Sequence, residues 1–396
     1  MIFLKKKTKD VRRFRNLMTK FKDIIKNLDK PLFILTLVLF VLGLVMIFSA
    51  SNVTSYMNGG SPYAYFLRQG LFLLVSFIFC IIMVKFNTKF YGMMSNILLV
   101  AFVVVLILLL IYGKATNYAI SWIPIGPFTL QPSEFIKIIM IVFMARFYEV
   151  HEKRLNNFFI AIIPLIIGVL IIFLIMLQPD LGTAIIFAAI TGLMFFASPV
   201  PLLSKLKVIG LFLGMLVIIG AVLIMTGGSI LQARQLERFN FTRPCDRLLD
   251  TGNQVCNGYI AINNGGLTGI GLGNSTQKYL YLPYPYTDFI FAITVEELGL
   301  VVGIVIILSY LYLLYRILKI GRNSYTNRGA LLCYGVAVYI FLHVVVNLMG
   351  LFGLMPMTGV PLPFMSYGGS FTLCLMVALT IVQRVNIENR LRDEKK

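Results

Sequence analysis

Asp288 heads a long apolar run, Asp288-Phe289-Ile290-Phe291-Ala292-Ile293-Thr294-Val295-Glu296-Glu297-Leu298-Gly299, so three carboxylates stand where lipid should surround them. An ionised side chain at the bilayer centre costs on the order of 2.5–3.5 kcal/mol on insertion scales, so such groups tend to mark function. Only 16 acids occur in 396 residues, and this one segment holds three. On a helix, Glu296 lies about 80° round from Asp288 and about 12 Å deeper, while Glu297 points to the opposite side. Asp288 itself has two readings: it caps the first helical turn, or it serves as a general base at the membrane surface.

Other residues could share that chemistry. Glu134 and Lys137 are three apart on one apolar run and so sit on neighbouring helix faces. They are either a structural ion pair or the lining of a polar cavity for a charged head group. Asp180, between Pro179 and Leu181-Gly182-Thr183, suits a helix N-cap, and a capped N-terminus also attracts anions. Arg234, Arg238, Arg243 and Arg247 lie in one long polar stretch. There they form either a solvated basic face or a grip on an anionic substrate.

The elements that position these residues are membrane helices. Apolar residues make up 59% of the chain and charged residues 13%, far from the balance of a soluble domain. Ten apolar runs approach the length of a bilayer core of roughly 30 Å, at about 31–51, 69–84, 94–112, 132–147, 158–177, 183–197, 207–226, 289–315, 330–352 and 361–383. The expected fold is all-α and polytopic, with about ten transmembrane helices and one large extracytoplasmic loop over about 227–288. Residues 1–30 form a basic tail, 31–384 the membrane domain and 385–396 a charged tail.

Eleven of the first 30 residues are Lys or Arg, which places that tail in the cytoplasm by the positive-inside rule and brings both termini to that side. The same basic region is too long for a cleavable signal peptide, and no small-residue cleavage site follows it. The net charge of +19 is therefore a topogenic signal and does not point to nucleic acid. With the tail inside, Arg68, Glu134, Asp180, Asp288 and the Pro/Gly-rich stretch from Thr358 to Ser370 all fall at the outer leaflet. A site built from them would meet its substrate at the outer membrane surface.

Several features point away from other chemistries. Two histidines, His151 and His343, on opposite parts of the topology make a His-based metal site or triad improbable. The Gly-rich stretch Asn263 to Asn274 follows no strand and opens no βαβ unit, so it reads as a flexible or tightly turning outer loop and not as a dinucleotide fingerprint. Trp122 suits an interfacial anchor. Cys80, Cys333 and Cys374 lie in apolar runs as small fillers. Cys245 and Cys256 share the outer loop with ten residues between them, compatible with a disulfide or with two free thiols.

Taken together, six stretches resemble the SEDS family (shape, elongation, division and sporulation). They are Gly43 to Ser51, Gln131-Pro132-Ser133-Glu134-Phe135-Ile136-Lys137, Gln178-Pro179-Asp180-Leu181-Gly182-Thr183-Ala184, Thr287 to Ala292, Glu296-Glu297-Leu298-Gly299, and Pro361-Leu362-Pro363-Phe364-Met365-Ser366-Tyr367-Gly368-Gly369-Ser370. They run in family order over about 31–384. The stretch Gly271 to Lys278 favours the FtsW-type division members over the elongation type. The resemblance implies a ten-span peptidoglycan glycosyltransferase that polymerises lipid II into lipid-linked glycan at the outer face of the bacterial cytoplasmic membrane. It also implies a class B penicillin-binding protein and other divisome proteins as partners, and a divalent cation (Mg or Mn) with no organic cofactor.

Under that resemblance Asp288 takes the place of the family's essential outer-loop aspartate, and Arg68, Glu134, Lys137, Asp180, Glu296 and Glu297 fall on family motif positions. No metal ligand set is legible. The family commonly carries Pro-Glu-x-His-Thr-Asp where this chain has Pro283-Tyr284-Pro285-Tyr286-Thr287-Asp288, so a Glu or His at those positions has no role here. The expected chemistry is attack of a sugar hydroxyl on an anomeric carbon. Asp288 takes the proton, and Arg68, Lys137 or Arg238 faces the departing diphosphate. A lipid II flippase, a non-catalytic division scaffold and an elongation role are the rival readings.

Overall fold

The computed structural model describes residues 24–57, 59–112, 121–125, 128–226, 244–246, 252–279 and 281–394. Its helices are α1 (Lys30–Met57), α2 (Ala64–Met83), α3 (Thr88–Tyr112), α4 (Pro132–Val150), α5 (Phe158–Met176), α6 (Leu181–Ala197), α7 (Leu202–Thr226), α8 (Gly252–Gly265), α9 (Ile290–Arg322), α10 (Asn327–Leu351) and α11 (Gly369–Asp393). Every helix but α8 coincides with one of the ten apolar runs. Seven are long and apolar enough to cross a membrane by length and composition alone. The chain is an all-α, multi-pass membrane protein.

Local sequence explains where the helices start. Asn157 accepts from the Phe159 N–H to cap α5, Asp180 caps α6 through the Thr183 N–H, and Thr326 caps α10 through the Gly329 N–H. Pro132 opens α4, where its missing N–H is no loss. Within the apolar windows, 78% of α11 and 67% of α10 are buried against 11% of α2, so α10 and α11 form the centre of the bundle and α2 faces lipid. The middle of α4 is buried on nearly every face and completes that centre.

Three boundaries differ from the sequence-based expectation. The last helix begins at Gly369, not near 361, because Pro361, Pro363 and left-handed backbone at Gly359 and Phe364 prevent an earlier start. It then runs to Asp393, burying Val385, Asn386 and Ile387. A hairpin of β1 (Ile123–Ile125) and β2 (Phe128–Leu130), antiparallel with Ile123 opposite Leu130, precedes α4 and was not foreseen. Its three-residue strands are too short for a period-two pattern to show.

The largest departure concerns the Gly-rich stretch, which is packed against α9. That helix is broken at Gly299, whose φ of 88° and ψ of 164° suit only glycine. The backbone groups freed by the break find partners in the stretch. Ile270 N donates to Glu296 O and Gly271 N to Glu297 O, while Leu300 N and Val301 N donate to Gly266 O and Leu267 O. Such pairing is required wherever a helix breaks away from water. The approach is so close that a Cβ on Gly265 would lie 2.1 Å from Val295 O, and one on Gly269 2.3 Å from Glu297 O.

Gly299→Ala is therefore expected to lower the melting temperature of the purified protein in detergent sharply. The left-handed backbone alone costs about 1–3 kcal/mol, and the new methyl would sit 2.3 Å from Leu267 O. Gly210→Ala, where nothing approaches within 4 Å, is expected to leave it unchanged. Equal melting temperatures for the two variants would show that the break is not held as described.

Candidate active site

Asp288 lies just ahead of α9, on a turn made by Pro283 to Thr287. The N-cap of α9 is Phe289, which makes no side-chain cap hydrogen bond, so the capping role open to Asp288 is not what the structure has. Among the described residues its carboxylate has no ion pair and no hydrogen bond. A Cβ built on Gly359 would lie 3.7 Å from Asp288 Oδ2. Burial pushes the Asp288 carboxyl up to about 6. Loss of hydration disfavours the charged form, and no cation among the described residues offsets it.

Three neighbouring segments face this turn. From α2, Tyr65 packs against Tyr286 with ring centroids 4.5 Å apart and edge-on to Tyr367 at 5.1 Å. The Tyr286 hydroxyl donates to the Tyr65 hydroxyl at 3.3 Å. Burial raises the Tyr367 hydroxyl, and the guanidinium of Arg68 beside it offsets part of that rise. Arg68 is itself exposed, a cation beside Tyr367. Below it Gln69 accepts from Gly368 N and donates to Thr372, fastening α2 to the start of α11.

The second segment is the start of α6. Asp180 accepts from the Thr183 N–H at 3.1 Å and from the Gln131 side-chain amide at 3.3 Å. Gly182 fits against the third segment, residues 358–360, where a Cβ would meet Thr358 O at 2.9 Å. Asp288, Asp180 and Arg68 thus gather at one end of the bundle, Asp180 already saturated as a cap and Asp288 unengaged.

Glu134 and Lys137 belong to a separate, closed cluster. Lys137 Nζ donates to Glu134 Oε1 at 2.7 Å and to His343 Nε2 at 3.2 Å, and Tyr339 donates to Glu134 Oε2 at 3.5 Å. His343 Nδ1 sits 2.9 Å from the Tyr339 carbonyl, so it must carry the proton. Since an ammonium can only donate, Nε2 is an acceptor and the imidazole is neutral. Both charged side chains are essentially sealed, with 1% and 3% of their surface exposed.

Glu296 and Glu297 hold the Gly-rich stretch. Glu297 accepts from Ser49 Oγ at 2.6 Å and from Lys278 Nζ at 3.0 Å, and Lys278 also donates to Gly273 O at 2.6 Å. Glu296 accepts from Thr276 N, Thr276 Oγ1, Asn264 Nδ2 and Ser275 Oγ. The two glutamates therefore lie apart from Asp288, fully engaged. Arg238, with Arg234, Arg243 and Arg247, lies outside the described residues. Cys245 and Cys256 are joined as a disulfide that ties the outer loop to α8.

The sequence reading did not single out Lys278, His343, Asn347 or Ser366. Lys278 could have been found as a lone cation eighteen residues ahead of two intramembrane acids. The other histidine, His151, lies elsewhere in the topology, and the partners of His343 are Lys137 and Tyr339. Asn347 Nδ2 donates to the backbone carbonyls of Asp288, at 3.0 Å, and Val360, at 2.9 Å. Ser366 Oγ donates to the Thr287 carbonyl at 2.6 Å.

Residues 30–391 match the family profile described as cell cycle protein, which takes in FtsW, RodA and SpoVE. Stage V sporulation protein E of Bacillus subtilis is 34% identical over 91% of this chain and 98% of its own length. A Bacillus subtilis protein named probable peptidoglycan glycosyltransferase FtsW is 33% identical over 95% of this chain and 94% of its own. Among solved structures, a chain from a peptidoglycan synthase complex that coordinates polymerization and crosslinking superposes with a TM-score of 0.73 at 24% identity. It covers 91% of this chain and 98% of that one. That likeness shows a shared fold.

If Glu134 and Lys137, both on α4, serve mainly to neutralise each other against α10, removing one partner must hurt more than removing both. Lys137→Met is expected to destabilise the protein by about 3–5 kcal/mol through an unpaired buried carboxylate. Thermal unfolding in detergent should show the double variant Glu134→Gln/Lys137→Met regaining most of that loss. A double variant no better than the single one would leave the pair a role other than mutual neutralisation.

Proposed function

The chain belongs to the family of cell cycle proteins that includes FtsW, RodA and SpoVE, and on that premise we propose that it is a peptidoglycan glycosyltransferase. It polymerises lipid II at the outer face of the bacterial cytoplasmic membrane, in cell division, with both termini in the cytoplasm. Relatives named as probable peptidoglycan glycosyltransferases support the activity. The observation that carries the mechanism is the Asp288 carboxylate, raised by burial and unengaged among the described residues. A base needs a free lone pair and a pKa close to working pH, and this group has both.

In the reaction a sugar hydroxyl attacks the anomeric carbon of a lipid diphosphate. Asp288 takes the hydroxyl proton as the new carbon–oxygen bond forms on one face. The bond to the diphosphate breaks on the other, with inversion. Arg68, exposed at the mouth over Tyr367, is placed to face the negative charge that gathers on the leaving diphosphate. Tyr286 and Tyr367 wall the site with aromatic surface. A substrate anchored by its lipid tail arrives at this depth without leaving the membrane.

Among the described residues no cluster of three His, Cys, Asp or Glu side chains could hold a metal ion. The divalent cation expected from the family therefore has no protein cage there and would enter with the diphosphate itself, as Mg²⁺ commonly does. It would supply positive charge to the leaving group. The partner proposed is a class B penicillin-binding protein, supported by the shared fold with a chain of a synthase complex that couples polymerization to crosslinking.

The test is strand synthesis from lipid II by the purified full chain with its partner. Asp288→Ala and Asp288→Asn are each expected to cut the rate by about 10²–10⁴ while remaining folded. Because the base must be ionised, wild-type rate should fall as pH drops through about 6. Strands at wild-type yield from Asp288→Ala would end the base assignment. Movement of labelled lipid II across vesicles without polymer would favour the flippase reading instead.

A further inference from the structure

Three consecutive backbone carbonyls lead into Asp288, and each accepts a hydrogen bond from outside the turn. Tyr367 N donates to Tyr286 O at 2.9 Å, Ser366 Oγ to Thr287 O at 2.6 Å, and Asn347 Nδ2 to Asp288 O at 3.0 Å. The first carbonyl used by the helix itself is that of Phe289, bonded by Ile293 N. The turn is thus held from α10 and from the segment ahead of α11, with no help from α9.

Asn347 does a second thing. The same amide nitrogen donates to Val360 O at 2.9 Å, and the adjoining Gly359 is the backbone over which the Asp288 carboxylate lies. One side chain therefore sets both the base's own backbone and the floor beneath its carboxylate. Ser366 repeats the pattern: its hydroxyl accepts from Leu362 N at 2.8 Å while donating to Thr287 O. Asn347 is buried and its Oδ1 is without a hydrogen-bond partner among the described residues, so the side chain is held by its donor end alone. An apolar residue of similar size would fill the same space and leave both carbonyls unheld.

We propose that Asn347 and Ser366 are positioning residues that hold the Asp288 turn and the 359–362 strip at a fixed separation, and so set the reach of the base toward the sugar hydroxyl. The proposal rests on the reading of Asp288 as the base. Neither residue touches substrate; both act through the backbone of the turn. The charged and titratable groups on the elements around Asp288 include Arg68 and Tyr65 of α2, Asp180 ahead of α6, His343 of α10, Tyr367 ahead of α11, and Tyr284 and Tyr286 on its own turn. Asp288 forms an ion pair with none of them among the described residues.

The experiment compares Asn347→Leu, Ser366→Ala, Ser366→Thr and Asp288→Ala in the full chain with its partner, with lipid II varied to separate kcat from KM. Asn347→Leu is expected to lower kcat about 10- to 100-fold with KM changed less than about threefold, the signature of lost alignment. Its acid limb should move below that of wild type, since a loosened turn lets water reach the carboxylate. Ser366→Ala should lose kcat in the same sense, and Ser366→Thr, which keeps the hydroxyl, should regain most of it. If Asn347→Leu fails to fold, the Ser366 pair decides alone. Met349→Ala, on the exposed side of α10, should behave as wild type.

Wild-type kcat in Asn347→Leu, a loss confined to KM, or a Ser366→Thr no better than Ser366→Ala would overturn the proposal. If Asp288→Ala is inactive while Asn347→Leu is unaffected, the clamp fails and the base survives. If Asp288→Ala is active, the underlying reading fails first.

Discussion

Inside a bilayer no backbone amide or carbonyl can be left without a partner, and this constraint governs how α9 is built. A straight helix would satisfy every group internally but would tie the direction of its first two turns to the rest of the span. The break at Gly299 frees those turns, at the cost of four unpaired groups. The Gly-rich stretch supplies all four partners, and glycines at 265, 269 and 299 let the two backbones meet. Everything at the outer end depends on that exchange, because the half-helix after the Asp288 turn is aimed by the break and not by the lower half of α9.

The treatment of buried charge follows the same logic. Glu134 faces Lys137, Glu297 faces Lys278, Asp29 faces Arg316, and Glu149 faces Arg328. Glu296 has no ion pair among the described residues but accepts from four donors, which serves a carboxylate nearly as well. Asp180 is occupied as a cap. Each of these acids is neutralised or solvated by the protein. Among these acids Asp288 alone is partly buried with no ion pair or hydrogen bond on its carboxylate among the described residues, and a carboxylate in that state is poised to accept a proton. The contrast between Asp288 and its neighbours says more than its position does.

Much of this was legible in the chain itself. Apolar runs mark the long helices because a lipid-facing helix cannot hide a polar stretch, and Asp180, Asn157 and Thr326 mark starts because capping is local chemistry. Asp288 stood out by being an acid at the edge of a span. What could not be read was anything set by the meeting of distant segments. Glu296 and Glu297 look like Asp288 in sequence, yet their partners, Ser49, Asn264, Ser275, Thr276 and Lys278, come from α1, from the end of α8 and from the residues just after the Gly-rich stretch. That stretch reads as a loop because nothing local shows that a broken helix 30 residues on needs its amides. Asn347 reads as one polar residue in an apolar helix, and only the fold shows which carbonyls it serves.

The departure from the family's common motif can now be given a physical cause and a consequence. Position 286 is tyrosine, and its ring packs tilted against Tyr65 and edge-on to Tyr367, docking α2 against the turn that carries Asp288. Its hydroxyl is engaged with Tyr65, and burial raises it well above the ordinary range, so it stays protonated at working pH. It cannot act as a second base, and Tyr284, exposed on the same turn, faces away into solvent. On the proposed reading, proton transfer at this site falls to Asp288, and departure of the diphosphate is helped by positive charge. Among the described residues Arg68 is an exposed cation beside this site. On that reading the Asp288 turn supplies the carboxylate and α2 the guanidinium, with the packing of Tyr65, Tyr286 and Tyr367 between them.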